Sequence, residues 1–254
     1  MSDQHNSMQA FAEIWDVQTR ELWDENYAQA LADLFNFYSI KTILDCAGGT
    51  GFPTLEFKRQ GLNVSYSDGS PEMLAFFNAK RFAEKLTIPT YLSSWQTLPE
   101  RVPYTYDAVL CRGNSLMDLA VYSDEAPISR ASFLSAMSES LAGMFSKVAE
   151  DGLLYIDIPK PEKVMPAKPS INSDTDSMTF KSKTTVAYDP ETQISTTTEL
   201  TTNLLRNTQS TSVAKAYAID EEELIELLLT VGFERVEKSP LKEASFIDAY
   251  MAFK

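Results

Sequence analysis

Lys41-Thr-Ile-Leu-Asp-Cys-Ala-Gly-Gly-Thr-Gly51 decides the reading of the fold. Residues 41–45 form a short apolar run that ends in an acid, which predicts a buried strand. The small residues after it predict a tight turn whose backbone N–H groups can approach a ligand closely. A short helix should follow from Pro53 to Arg59, with proline at its start and Gly61 past its end. The N-terminus of such a helix favours negative charge.

Working outward, Leu62-Asn-Val-Ser-Tyr-Ser-Asp68 reads as the second strand, again ending in an acid. Ser70-Pro71-Glu72 carries the signals of a helix start: a capping serine, a proline at the first position and an acid in the first turn. That helix is predicted to reach about Leu86. Pro89–Leu92, Tyr106–Cys111 and Leu153–Asp157 read as the third, fourth and fifth strands, with a helix over Arg130–Val148 before the fifth. Asp220 with Glu223 starts a further helix that Gly232 ends, and Phe233–Lys238 and Phe246–Phe253 read as two last strands. This alternation predicts an α/β fold: a doubly wound, mostly parallel seven-stranded sheet with helices on both faces.

Two segments break the rhythm. Phe11–Phe37 has Trp15, Leu22, Trp23, Tyr27, Leu31, Leu34 and Phe35 near helical spacing, with a break expected near Gln18–Arg20. Pro159–Ser170 is proline-rich and lysine-bearing, and Met178–Thr211 is rich in threonine. Thr179–Tyr188, Ile194–Leu205 and Gln209–Ala218 read as antiparallel strands, the first pair joined at Asp189-Pro190-Glu191. The expected organisation is therefore an N-terminal helical lid over 1–37, a core over 38–160 and 219–254, and a small antiparallel β insertion over 161–218 covering the substrate side.

Composition narrows the function. The 254 residues carry 22 Lys+Arg against 36 Asp+Glu, a formal net charge of −14, which disfavours phosphate backbones and anionic membrane surfaces. The single histidine, His5, rules out a Ser-His-Asp triad and a multi-histidine metal site, so no metal is expected. Cys46 and Cys111 lie far apart in apolar surroundings and read as reduced, buried thiols of a cytoplasmic protein. No apolar stretch is long enough to span a bilayer, and Met1–Ala10 lacks the pattern of a secretory signal.

A nicotinamide dinucleotide site is the first candidate for the glycine turn. Counting from Gly49 and Gly51, its fingerprint needs a third glycine where Thr54 stands. Asp45, just before the turn, suits a ligand with a cationic group better than it suits a pyrophosphate. Asp68, at the end of the second strand, stands where an acid can bind ribose hydroxyls.

These residues carry a resemblance. Asp45-x-Ala47-x-Gly49-x-Gly51 resembles the first motif of class I S-adenosylmethionine-dependent methyltransferases, which have a Rossmann-like fold, and Tyr66-Ser-Asp68-Gly-Ser-Pro-Glu-Met73-Leu74 resembles their second. Tyr106-Asp-Ala-Val-Leu-Cys-Arg-Gly113-Asn114-Ser115 and Ser94-Trp95 are similar to the glycine N-methyltransferase group, which usually has Asn-Trp at the latter place. The resemblance runs from about Phe11 to Lys254.

It implies S-adenosyl-L-methionine as cofactor. Asp68 would hold the ribose hydroxyls, Met73 would pack on the adenine, and Ser94 and Trp95 would border it. Ala47 and Gly49 would lie against the methionine part through their backbones, Arg112 would contribute backbone to the cofactor, and Arg20 would pair with the cofactor carboxylate. Trp15 and Tyr27 would form the lid. Asn114, Asp118 and Tyr27 are the candidate catalytic residues, Asn114 to position the acceptor and Asp118 to bind it or take its proton.

The group's carboxylate-clamping arginine is replaced by Pro159, with Lys160 beside it, which argues against glycine as acceptor. Asp118 stands where relatives often have histidine. The expected reaction is methyl transfer to a small-molecule amine, with a hydroxyl acceptor as the runner-up. An oxidoreductase and a non-catalytic cofactor-binding protein are the more distant readings. The expected partner is a small-molecule acceptor, cationic or amine-bearing, without nucleic acid or membrane, for a monomer or homo-oligomer.

Overall fold

A computed structural model describes residues 12–20, 22–119, 129–168, 170–176, 180–205 and 207–254. His5 lies outside them. The chain opens with a helix over 12–20 (α1) and a second at Glu25–Phe37 (α2). The break falls at Trp23–Asp24, later than expected, because the Asp24 carboxylate caps α2 by accepting the Tyr27 N–H at 3.0 Å.

Next come β1 (Thr42–Asp45), α3 (Thr54–Arg59), β2 (Asn63–Asp68), α4 (Pro71–Ala83), β3 (Thr90–Leu92), α5 (Leu98–Arg101) and β4 (Tyr106–Cys111). After α6 (Arg130–Phe145) the fifth strand, β5, runs from Val148 to Pro159. It is longer than its apolar stretch because it starts beside Tyr106, before an irregularity in its pairing with β4. α8 (Glu221–Val231), which follows the insertion, opens on a full capping box formed by Asp220 and Glu223. β10 (Arg235–Lys238) and β11 (Ile247–Phe253) close the chain.

The main sheet has seven strands in the order β10-β11-β5-β4-β1-β2-β3. The pairs from β5 to β3 are parallel, and β11 is antiparallel to both of its neighbours. Alternation of side chains along β1 feeds two cores. Leu44 joins Val109, Leu154, Ile156 and the inner faces of α6 and α8, while Ile43 joins Ala108, Leu110, Tyr155 and the Leu31 and Phe35 side of α2. The chain moves outward from β1 to β2 and β3, then returns to β4 on the other side of β1. The switch in direction opens a crevice at the carboxyl ends of β1 and β4, where ligands bind in open α/β sheets.

The insertion forms a second, four-stranded antiparallel sheet, β6-β7-β8-β9, made of β6 (Ser170–Asp176), β7 (Phe180–Asp189), β8 (Ile194–Asn203) and β9 (Thr208–Tyr217), after a short helix α7 at Pro161–Val164. Three of these strands match the sequence reading to within about two residues. The edge strand β6 was not expected, since Ser-Ile-Asn-Ser-Asp-Thr-Asp offers no apolar alternation. Among the described residues, no helix is long and apolar enough to cross a membrane.

Candidate active site

The turn after β1 is held by what surrounds each glycine. A Cβ on Gly48 would lie 2.3 Å from the Tyr66 ring, which is itself stacked on Phe77 at 3.9 Å. Gly49 has φ +50°, and its N–H donates to the Asp68 carboxylate at 2.8 Å. The other Asp68 oxygen accepts the Ser70 N–H at 2.8 Å. Burial raises the Asp68 pKa, and hydrogen bonds from the Ser70, Gly49 and Gly69 backbone oppose that rise. Asp68 thus joins the ends of β1 and β2 while remaining part-exposed at the crevice.

Asp45 is placed differently from the expectation. Its side chain lies beneath the turn, 1% exposed, and accepts the Thr54 hydroxyl at 2.6 Å. It is therefore committed to the protein and does not face a cationic ligand. Burial pushes its pKa up to about 6, against the opposing hydrogen bonds from Thr54 and Ala47. This bond also accounts for a threonine where a dinucleotide fingerprint has glycine.

The turn after β4 is built in parallel fashion. Asp157, buried near the end of β5, accepts the N–H groups of Gly113 at 2.9 Å and Asn114 at 2.6 Å. Asn114 is held at φ +63°, a region costly for a side chain with a Cβ, and its amide oxygen is buried without a hydrogen-bond partner. Asn114 thus combines a left-handed backbone with an acceptor that no group of the protein meets. Asp118 lies in the following 3-10 helix, Ser115–Leu119, but its side chain falls outside the described residues.

Between the two turns sits a cavity of about 20 Å³ lined by Trp15, Thr19, Trp23, Ala47, Gly48, Thr50, Phe52, Arg112 and Gly113. Trp15 keeps it small. Its indole is 3.2 Å from the place of a Cβ on Gly49 and 3.1 Å from that on Gly113. α1 is fastened over the site at two points. Asp16 binds Lys80 of α4 at 2.5 Å, and Lys80 also donates to the Thr50 carbonyl. On the other side, Gln18 donates to Glu199 of β8 at 3.2 Å.

The other expected residues are distributed around this centre. Met73 is buried in the first turn of α4, Ser94 is exposed, and the Trp95 indole donates to the Cys46 carbonyl at 2.8 Å. Arg20 is turned outward, its side chain 64% exposed and paired with Asp16. Tyr27 stands outside the cavity lining, and its hydroxyl donates to Glu243 at 2.6 Å. Burial drives its pKa far upward, which keeps that hydroxyl a donor.

Glu243 is a site feature that sequence reasoning missed. It accepts from Tyr27, from Tyr155 at 2.7 Å and from Trp23 at 3.4 Å, and lies 3.6 Å from Arg112. It sits in a loop without any periodic signal. Asp157 and Arg112 did carry one: each is a charged residue at the end of an apolar strand.

The geometry defines a fold. The seven-stranded, mostly parallel sheet with its antiparallel last strand is the fold of solved S-adenosylmethionine-dependent methyltransferases. A solved methyltransferase from Clostridium acetobutylicum superposes with a TM-score of 0.73 at 14% identity, over 97% of this chain and 98% of that one. An amino pentose methyltransferase from Micromonospora echinaspora, solved with S-adenosylmethionine bound, gives 0.68 at 16% identity, over 95% of each chain.

By sequence, the chain stands close to the glycine N-methyltransferase group. It is 25% identical over 246 residues to a glycine/sarcosine/dimethylglycine N-methyltransferase from Actinopolyspora halophila, covering 92% of this chain and 38% of that protein. It is 30% identical over 159 residues to a glycine/sarcosine N-methyltransferase from Aphanothece halophytica, covering 61% and 54%. The chain therefore spans about two fifths to half the length of these relatives. No protein-family model matches it.

Proposed function

We propose that the chain transfers a methyl group from S-adenosylmethionine to the nitrogen of a small-molecule amine. The observation that carries this reading is the pair of turns flanking the switch-point crevice, each pinned by a buried or nearly buried carboxylate, Asp68 on Gly49 and Asp157 on Gly113 and Asn114. The kinship with glycine/sarcosine N-methyltransferases supports the choice of nitrogen.

The residues present suit the cofactor. Unpartnered buried groups of two lining residues, Thr19 Oγ1 and Arg112 Nε and Nη2, border the cavity, and the glycines at 49 and 113 let the backbone come close. Asp68 would hold ribose hydroxyls, Met73, Ser94 and Trp95 would border the base, and Ala47 and Gly49 would face the methionine part. When bound, S-adenosylmethionine supplies an electrophilic sulfonium methyl. The protein's task is then alignment, an effect worth about 7–11 kcal/mol in well-oriented reactions.

Asn114 Oδ1 accepts an N–H of the incoming amine and so orients its lone pair. Asp118 receives the proton released as the new bond forms. α1 acts as a lid, lifting Trp15 from the two glycines to admit ligand, and the second sheet covers the acceptor side. With Pro159 at the place of the clamping arginine, the acceptor is an amine other than glycine. The two free, buried cysteines support a cytoplasmic location. The net charge supports a cationic or amine-bearing partner over nucleic acid or membrane, for a monomer or a homo-oligomer.

Mass spectrometry of the purified protein for co-retained S-adenosylmethionine or S-adenosylhomocysteine, followed by labelled methyl transfer to parallel panels of amines and alcohols, tests the reading. Label should enter an amine. Transfer only to hydroxyls would replace nitrogen by oxygen, and failure to bind either adenosyl compound would overturn the reading.

A further inference from the structure

The second sheet has two unlike faces. Its buried residues Ser182, Val186, Ser195, Thr201 and Ala216 share one face by register. The lysines of its strands, Lys181, Lys183 and Lys215, all fall on the other face. Glu199 lies on the first face, opposite Thr184 of β7 and Ser212 of β9. Its half-buried carboxylate accepts the Ser182 hydroxyl at 2.5 Å and the Gln18 side-chain amide at 3.2 Å. Both of these partners are neutral, so they satisfy the oxygens and leave the charge unbalanced. Gln18 belongs to α1 and stands between Trp15 and Thr19, which line the cavity at the two turns. Thr19 Oγ1 beside it, and Ser195 Oγ on the same face as Glu199, are buried without a hydrogen-bond partner.

We infer that Glu199 selects the acceptor: it receives a second ammonium group, at the end of the acceptor remote from the nitrogen that takes the methyl, and the substrate class is an aliphatic diamine. This rests on the function proposed above. Asn114 and Asp118 stand at the β4 turn and Glu199 stands on the covering sheet, so one extended acceptor reaches from the turn to the sheet. An ammonium in the place of the Gln18 amide gives the carboxylate a donor and a counter-charge together. Such a charge-assisted bond is about twice as strong as a neutral one. The lysines that could supply that charge face the other way, which leaves it to the ligand. Ser182 is a positioning group, since its hydroxyl holds the carboxylate in place. An amino alcohol would find hydroxyl partners on the same face, but it would leave the Glu199 charge unbalanced.

Titration calorimetry on the protein saturated with S-adenosylhomocysteine tests this with 1,3-diaminopropane, 1,4-diaminobutane and 1,5-diaminopentane, each against the monoamine and the amino alcohol of the same chain length. At least one diamine should bind about 10- to 100-fold more tightly than both of its matched compounds. Glu199→Gln keeps an acceptor for Ser182 and Gln18 but removes the charge. It should bring that diamine to the level of its monoamine and leave S-adenosylhomocysteine affinity unchanged. Glu199→Lys should turn the preference toward the amino acid of matched length, and where it does not fold Glu199→Gln carries the decision. Gln18→Ala cuts the contact with α1 and should keep the diamine preference. A wild-type protein that shows no such preference overturns the inference, as does a preference that survives Glu199→Gln. Equal losses in Gln18→Ala and Glu199→Gln would make Glu199 a fastening for α1 alone, and tighter binding of the amino alcohol would assign the face to a hydroxyl ligand; either result overturns it too. If the wild-type protein does not bind S-adenosylhomocysteine, it is the proposed function itself that fails.

Discussion

Asp157 Oδ1 accepts the backbone N–H of Asn114 at 2.6 Å, so an acid near the end of β5 sets the conformation of the residue that closes the β4 turn. The carboxylate is fully buried, and burial pushes its pKa up to about 6, while Arg112 and the two N–H groups act in the opposite direction. Through Asp157 the folded state keeps a proton that the unfolded chain releases between about pH 4 and 6, and this group's contribution to stability is lost as pH rises through that window. Asp45, raised to about 6 by its own burial, contributes with the same sign. Urea unfolding of the wild-type protein across this range should show that decline. Asp157→Asn should shallow the slope and leave the part due to Asp45, whereas an unaltered slope would show that Asp157 titrates at its ordinary value in the fold.

Gly48 is required by a ring and not by its own backbone angles. A Cβ there would meet Tyr66 Cδ2 and Cε2 at 2.3 Å, and Tyr66 has no room to retreat: it is fully buried, stacked on Phe77, and its hydroxyl donates to the Gly49 carbonyl at 2.7 Å. Gly48→Ala should cost about 1–3 kcal/mol, the range of core overpacking. In the Tyr66→Leu background the same substitution should cost much less, because the clashing ring is gone. Equal costs in the two backgrounds, read from urea midpoints, would show that the ring is not the obstacle.

What could be read from the sequence and what could not divides along physical lines. β1, β2 and β4 were legible because buried strands of a parallel sheet are apolar runs closed by turn residues, and Asp68 and the glycines fall at fixed places after them. β6 was not, since an edge strand needs only backbone partners and Ser170–Asp176 has no apolar face to declare it. At the site, Asn114 and the two glycine turns were visible as a motif. The direction of a side chain was not: Arg112 and Arg20 are both arginines near expected ligand-binding segments, and only packing shows that one is enclosed by Trp23, Tyr27 and Glu243 while the other reaches solvent. Glu243 acts across 216 residues from Tyr27, a distance no local pattern spans.

Asn114 allows strain and chemistry to be separated by two substitutions. At φ +63° a glycine is at ease, whereas alanine keeps the penalty of a Cβ and loses the amide. Asn114→Gly should therefore be as stable as the wild type or more so, and Asn114→Ala should lose about 1 kcal/mol relative to the glycine variant. Both remove the buried Oδ1 that has no partner within the protein. If that oxygen orients the acceptor, both variants should lose at least tenfold in kcat, a loss of the size expected for one hydrogen bond made at the reacting centre, with S-adenosylhomocysteine affinity unchanged. The glycine variant carries the decision: a stable protein with slow turnover assigns the amide to the reaction, and a stable protein with full turnover would leave Asn114 a turn residue whose strain serves no chemistry.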